Sequence, residues 1–247
     1  MIIDGLSGHR LPRRTGTTGR FGFPRQCPLC RGWTAQPLCA DCLQRFAAPA
    51  PRCGRCARRL GVALPACADC LRQPLPFERC LCAGDYAFPW DRLIADFKFR
   101  GRIELAPALA AALLAALSAA PGPAVDLVLP VPLSDARLAE RGHHQAWEIA
   151  RRIARARGVA ADAATLRRLR DTPHQVGLSR RERDANLRDA MWIEPARAAA
   201  LAGRRIALVD DVMTTGATAA AAAEVLLRAG AAAVDLWVIA RTPDPGD

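Results

Sequence analysis

Two sets of residues in this chain have the types and spacing for chemistry. The first is sulfur. Eight of the ten cysteines fall in four Cys-x-x-Cys knuckles, Cys27/Cys30, Cys39/Cys42, Cys53/Cys56 and Cys67/Cys70, separated by eight, ten and ten residues. One knuckle lets two thiolates reach one ion, and two knuckles complete a closed, tetrahedral shell of four cysteines. Four knuckles therefore predict two structural zinc ions. Disulfides belong to oxidising compartments, and thioredoxin-like redox work needs one such motif on a βαβ unit rather than four in series. An iron–sulfur cluster satisfies the same ligand count. Valence allows sequential pairing (27/30/39/42, then 53/56/67/70) or a cross-brace (27/30/53/56, then 39/42/67/70), and sequential pairing is the expectation. Cys80 and Cys82 alternate within an apolar, strand-like run and read as buried inert thiols.

The second set lies near the end of the chain, in Arg205-Ile-Ala-Leu-Val-Asp-Asp-Val-Met-Thr-Thr-Gly-Ala-Thr218. An apolar run ends in the carboxylates Asp210 and Asp211, and a Thr/Gly turn then opens an alanine-rich helix near Thr218. A phosphate at such a turn meets free backbone N–H groups and the positive end of a helix dipole. Gly216 lets the backbone approach closely, and Thr214, Thr215 and Thr218 add hydroxyl donors. Helix capping explains one of these threonines. It does not explain two adjacent carboxylates with three threonines around a glycine. The two acids repel a bare phosphate, so they are expected to face sugar hydroxyls, Mg²⁺ or a developing cation.

The elements that must hold these groups follow from periodicity. Leu105, Leu109, Leu113 and Leu117 recur four apart and predict a helix over 104–120, with Pro107 tolerated in its first turn. Short apolar runs at 127–129, 206–209 and 234–239 read as buried strands. Strands separated by helices predict a parallel α/β sheet. The organisation is then a glycine- and arginine-bearing tail over 1–26, expected to be disordered, a Cys-rich module over 27–72, and an α/β domain over 77–247. A module so small cannot bury enough surface to fold unaided, and structural zinc supplies what the core lacks.

The chain has 247 residues and a formal net charge of +11, with 35 Lys plus Arg against 24 Asp plus Glu. Such a surplus favours polyanionic partners. Only one of those cations is lysine, Lys98, and Phe99 follows it, which excludes a Walker-type phosphate loop. A single retained ammonium suggests a place that needs a compact point charge rather than a planar fork. Aromatic content is 5%, thin for a protein that holds single-stranded nucleic acid mainly by stacking. No run reads as a membrane span and no signal-peptide pattern opens the chain, so no membrane partner and a cytoplasmic location are expected. The stretch from Arg167 to Arg188 carries seven arginines against three acids and is expected to form a flap or an anion-binding surface.

Val209-Asp-Asp-Val-Met-Thr-Thr-Gly-Ala-Thr218 resembles the phosphoribosyl pyrophosphate (PRPP) signature of type I phosphoribosyltransferases. The whole arrangement resembles the ComF/GntX family, whose members join a double zinc ribbon to such a domain. Further matching stretches are Leu93 to Phe99 with Gly101, Val131 to Ser134 running on to Arg141, Gly142 and Gln145, and Thr172, Gln175, Leu178, Arg183 and Asn186. The resemblance implies that Asp210 and Asp211 hold the ribose hydroxyls, and that Thr214, Thr215, Gly216, Ala217 and Thr218 hold the 5′-phosphate. It places Pro132, Leu133, Arg137 and Arg141 at the pyrophosphate, with Mg²⁺ and with Lys98 nearby. Purine-type relatives carry an aspartate where this chain has Thr214, which puts purine salvage in doubt. His143-His144 stands where the family has an aromatic followed by Asn, and no catalytic role is assigned to either histidine or to His174. The expected function is phosphoribosyl transfer to an unidentified acceptor, within natural competence or DNA utilisation. The alternative is a non-catalytic protein that binds single-stranded DNA through its ribbons and arginines, together with recombination or uptake proteins, and uses the phosphate pocket to sense a nucleotide.

Overall fold

The computed structural model describes residues 24–168 and 190–243. The tail over 1–23 and the residues Thr172, His174, Gln175, Leu178, Arg183 and Asn186 lie outside the described residues.

The N-terminal part is short and loop-rich. A two-residue antiparallel pair, β1 (Arg25–Gln26) with β2 (Trp33–Thr34), precedes α1 (Ala40–Phe46), and α2 (Ala68–Arg72) follows the last knuckle's first cysteine. Both helices start immediately after a cysteine, Cys39 or Cys67. Helical side chains lean toward the N-terminus, so the second cysteine of each of these knuckles points back toward the first.

The main sheet has five parallel strands. These are β3 (Arg79–Asp85), β4 (Leu127–Pro130), β5 (Ala160–Ala161), β8 (Arg205–Met213) and β9 (Ala233–Arg241), ordered β3-β9-β8-β4-β5. Helices α3 (Trp90–Phe99), α4 (Ala106–Ala119), α5 (Asp135–Arg141) and α6 (Gln145–Arg157) connect the early strands. A small antiparallel pair, β6 (Leu166–Arg168) with β7 (Met191–Ile193), and the short α7 (Pro195–Ala198) precede β8. Helix α8 (Ala217–Arg228) joins β8 to β9. The leucine stripe forms as expected: Leu105, Leu109, Leu113 and Leu117 are all buried, and Pro107 sits in the first turn of α4.

Side chains alternate across a strand, so the sheet feeds two cores. Val128, Ala207, Val209, Trp237 and Ile239 pack with α3, α4 and α6. Leu127, Leu129, Ile206, Leu208, Leu236 and Val238 pack with α8 on the other face. Because both faces are covered, the central strands read as continuous apolar runs rather than alternating ones.

The cysteine segments join these cores on opposite faces. Cys27, Leu38, Cys42 and Ala47 belong to the first, and Cys53, Cys56, Cys67 and Cys70 to the second. The two lobes thus straddle β3, the edge strand. Polar contacts fix them: the indole N–H of Trp90 donates to the Phe46 carbonyl at 2.9 Å, Cys80 N–H donates to the Gly54 carbonyl at 3.0 Å, and Arg52 meets Asp85 at 2.6 Å. Gly84 is required where Trp90 crosses it, since a Cβ there lies 2.4 Å from the indole nitrogen.

Candidate functional site

Parallel strands end on one side, and in such sheets ligands bind beyond the carboxyl ends where the strand order reverses. From β4 the chain proceeds to β5 on one side, and from β8 to β9 on the other. The crevice therefore lies between the adjacent strands β4 and β8, in register from Leu127↔Ile206 to Pro130↔Val209. Val131 N–H donates to the Val209 carbonyl at 2.8 Å, so the Pro132–Leu133 loop leaves β4 beside Asp210.

Strand β8 runs on through both acids to Met213, four residues beyond the expected apolar run, because β9 continues to pair with it up to Met213↔Arg241. The pleat then points the adjacent carboxylates opposite ways and makes them unequal. Asp211 is 5% exposed and meets the Lys98 ammonium at 2.7 Å. The chain's single lysine thus reaches the acid pair from the last turn of α3. Asp210 faces the other way, lines a recess of about 60 Å³, and accepts from the Asp211 N–H at 2.8 Å. Burial and the neighbouring Asp211 carboxylate raise Asp210 to about 7, although Lys98 opposes the shift.

The recess is completed by Thr214, Thr215, Gly216, Ala217 and Thr218. Gly216 adopts φ +82°, a left-handed conformation that glycine tolerates, and an added Cβ lies 2.7 Å from the Met213 methyl. This residue caps α8 without a side-chain hydrogen bond. The one local bond from a hydroxyl oxygen is that of Thr215, which accepts from Ala217 N–H at 3.3 Å. The N-cap position of α8 is Gly216 rather than a threonine, and the residues of its first turn, Ala217 and Thr218, line the recess.

The other expected anion ligands are placed differently. Arg141, at the end of α5, donates to Gln145 Oε1 at 3.2 Å and stacks over the Phe99 ring at 5.5 Å. Arg137 sits in the first turn of α5, where its N–H donates to Ser134 Oγ at 3.3 Å. Pro132 is buried and Leu133 half-buried. None of the four lines the recess. His144 caps α6 by accepting from Trp147 N–H, and burial depresses it to about 4. Its place in the fold is thus at the start of α6, where it is part of the helix cap.

The thiols group in sequence order: Cys27, Cys30, Cys39 and Cys42 form one set and Cys53, Cys56, Cys67 and Cys70 the other, with ligand atoms in each set within 4.8 Å of one another. Sulfur separations are 3.7 Å for Cys30–Cys39, 3.9 Å for Cys53–Cys70 and 3.7 Å for Cys56–Cys67. Four sulfurs about 2.3 Å from one tetrahedral ion stand about 3.8 Å apart. The spacing fits a single ion per set and is far too long for S–S bonds. At Cys27, burial works against ionisation, but the N–H groups of Cys30, Cys39 and Leu29 outweigh it and bring the thiol down to about 6. Cys53 reaches about 7 in the same way, against its own burial, through the N–H groups of Cys56, Cys67 and Arg55. Each set therefore contains one readily ionised thiol, as metal capture requires. Cys80 and Cys82 lie buried in β3, and burial pushes the Cys82 thiol up to about 11. Their burial is what their alternation in an apolar run suggested.

Sequence reasoning missed the residues that join the two sites. The second cysteine lobe abuts the Thr214–Thr215 turn across a larger cleft, with Arg58, Asp69, Arg72 and Arg241 on its walls. Arg241 Nε donates to the Cys56 carbonyl at 3.1 Å. These partners are 185 residues apart, and no local pattern announces them.

A parallel sheet with an acid pair and a Thr/Gly turn at its carboxyl end, preceded by two four-cysteine sets, defines a type I phosphoribosyltransferase-like α/β protein with an N-terminal module whose two thiol sets could each hold one metal ion. No family model matches the chain. The DNA utilization protein YhgH of Salmonella typhi is 38% identical over 177 residues, covering 70% of this chain and 76% of that protein. Competence protein F of Haemophilus influenzae is 30% identical over 175 residues, covering 69% and 76%. The chain belongs to their family, the ComF/GntX family. A shorter stretch of 52 residues, 21% of this chain and 29% of the relative, is 48% identical to adenine phosphoribosyltransferase of Mycobacteroides abscessus. Among solved structures, adenine phosphoribosyltransferase of Thermoanaerobacter pseudethanolicus covers 57% of this chain and 83% of its own at 16% identity, with a TM-score of 0.36. Among the described residues no helix is long and apolar enough to cross a membrane.

Proposed function

We propose that this protein binds PRPP and transfers its phosphoribosyl group to an acceptor in the course of competence or DNA utilisation. The observation that carries the reading is the recess at the carboxyl end of β8, beside β9, where a half-buried Asp210 shares one lining with Thr214, Thr215, Thr218 and the start of α8. The 5′-phosphate takes the Thr214–Thr218 turn and its N–H donors. The ribose hydroxyls lie against Asp210, with Asp211 held behind by Lys98. The Pro132–Leu133 loop, with Arg137 and Arg141 on the helix after it, lies toward the pyrophosphate. In the reaction the C1–O bond breaks and its electron pair leaves on pyrophosphate. A lone pair of the acceptor forms the new bond to C1, and the acceptor releases a proton. Positive charge grows on the ring meanwhile, and a preorganised carboxylate stabilises it.

Among the described residues the only groups of three or more metal-ligating side chains are the two thiol sets. Mg²⁺ commonly takes one or two carboxylates plus substrate phosphates, so Asp210 and the donor's own oxygens would hold it, and it would supply charge neutralisation at the leaving group. The two thiol sets hold structural zinc in this reading, with a Cys module over 27–72 and an α/β domain over 77–247. The test is calorimetric titration with PRPP and Mg²⁺, followed by an assay of pyrophosphate release. Binding is expected in the wild type, with a loss of at least tenfold in Asp210→Asn/Asp211→Asn. A wild-type protein that ignores the donor sinks the reading.

A second reading, binding of single-stranded DNA, is favoured by Trp33. It is 73% exposed on the first lobe, with exposed Arg25 and Arg31 close by in sequence. An exposed indole among arginines is a stacking platform for a base. Affinity is then expected to fall steeply with salt and to drop severalfold in Trp33→Ala.

A further inference from the structure

Beside the recess at the threonine turn lies a larger cleft of about 450 Å³. One wall is the second cysteine lobe, through Arg58, Arg72 and Gln73. The other is the far side of the phosphate turn, through Thr214 and Thr215, with Arg241 between them. Met213, Thr214 and Thr215 line both cavities, so the two share one partition.

The charge on these walls is lopsided. Arg58 and Arg72 both pair with the same carboxylate, Asp69, at 2.7 and 2.6 Å, and it is the only acid on the lining. Arg241 is 6% exposed and donates to the carbonyls of Cys56, Met213 and Thr242. Leu75 and Met213 supply an apolar patch, and Gln73 offers an amide able to donate and accept. Guanidinium forks match phosphate geometry. A cleft of this size suits a small molecule with one anionic end and an uncharged body.

We propose that this cleft is a second ligand site, distinct from the PRPP recess, that takes a nucleoside monophosphate with its phosphate toward Arg58 and Arg72. Its outer wall is the second four-cysteine lobe, so the metal module forms part of a small-molecule site rather than a detached appendage. A ligand here and a donor in the recess would meet the same threonine turn from opposite sides.

The experiment titrates the zinc-loaded full-length protein with AMP, alone and with saturating PRPP and Mg²⁺. AMP is expected to bind under both conditions, while adenosine, lacking the phosphate, binds at least tenfold more weakly. Arg72→Glu and Gln73→Trp, both on the exposed rim, are each expected to weaken AMP at least tenfold. Their zinc content stays at the wild-type value and their PRPP affinity within about threefold. One-for-one displacement of AMP by PRPP overturns the proposal, as does equal AMP affinity in both variants, equal affinity for adenosine, or no AMP binding at millimolar concentration. Failure of PRPP to bind, with AMP still dependent on Arg72, removes the donor reading and leaves this site standing.

Discussion

Asp210 and Asp211 share a motif but not a chemistry. Burial and the Asp211 charge lift Asp210 from 3.8 to about 7, whereas Asp211 lies against the Lys98 ammonium. An unfolded chain loses the Asp210 proton near its ordinary value, so between about pH 4 and pH 7 the folded protein holds a proton that the unfolded chain has lost. Stability from this group is full in acid and falls as pH rises through 7. Asp210→Asn is expected to flatten that fall, by on the order of 2–4 kcal/mol between pH 4.5 and pH 8 in denaturant titrations. On the proposed function, affinity for PRPP with Mg²⁺ is expected to run the other way in calorimetric titration, rising from pH 6 to pH 8, because the ionised Asp210 carboxylate is the form that would meet the donor. Removing the partner of a buried ion pair leaves an uncompensated charge, so Lys98→Met is expected to cost about 3 kcal/mol in the same measurement. The acid pair, the Thr/Gly turn and the singular lysine were all legible in the sequence. That the lysine belongs to one acid of the two was not, because the pleat that parts the carboxylates depends on β9 extending the strand past them.

The elements follow their sequence signals where burial is one-sided or complete. The four-residue leucine stripe of α4 and the apolar runs of β4, β8 and β9 appear as read. Boundaries moved where a neighbour decided them, as at the end of β8. Leu113→Ala, fully buried in α4, is expected to cost about 2–5 kcal/mol by leaving a cavity. Gly84 is subtler, since glycine within an apolar strand has no local reason. Its reason is Trp90, whose indole crosses the backbone to reach Phe46 of the first lobe. Gly84→Ala is expected to cost about 1–3 kcal/mol by overpacking and to release the first lobe, seen as faster proteolysis around Phe46.

Across the whole molecule, the knuckle spacing announced two metal shells but not their placement on opposite faces of the sheet. Nothing local in Cys53–Cys70 predicts contact with a turn near residue 214, because that proximity is created by strand order. On the proposed zinc reading, a chelator is expected to loosen both lobes together, read as loss of protection in the Cys27–Cys70 segment by hydrogen exchange.

The contact of the second lobe with β3 has a further consequence for the sheet margin. The seven residues of β3 form an outermost strand whose Cys80 N–H is satisfied by the Gly54 carbonyl, and at the opposite margin β5 is only two residues long. A bare, apolar outer strand is a template for another chain. If the sets hold zinc as proposed, protein stripped by a chelator should therefore scatter light in a concentration-dependent way, so the cysteine lobes would guard solubility as well as shape.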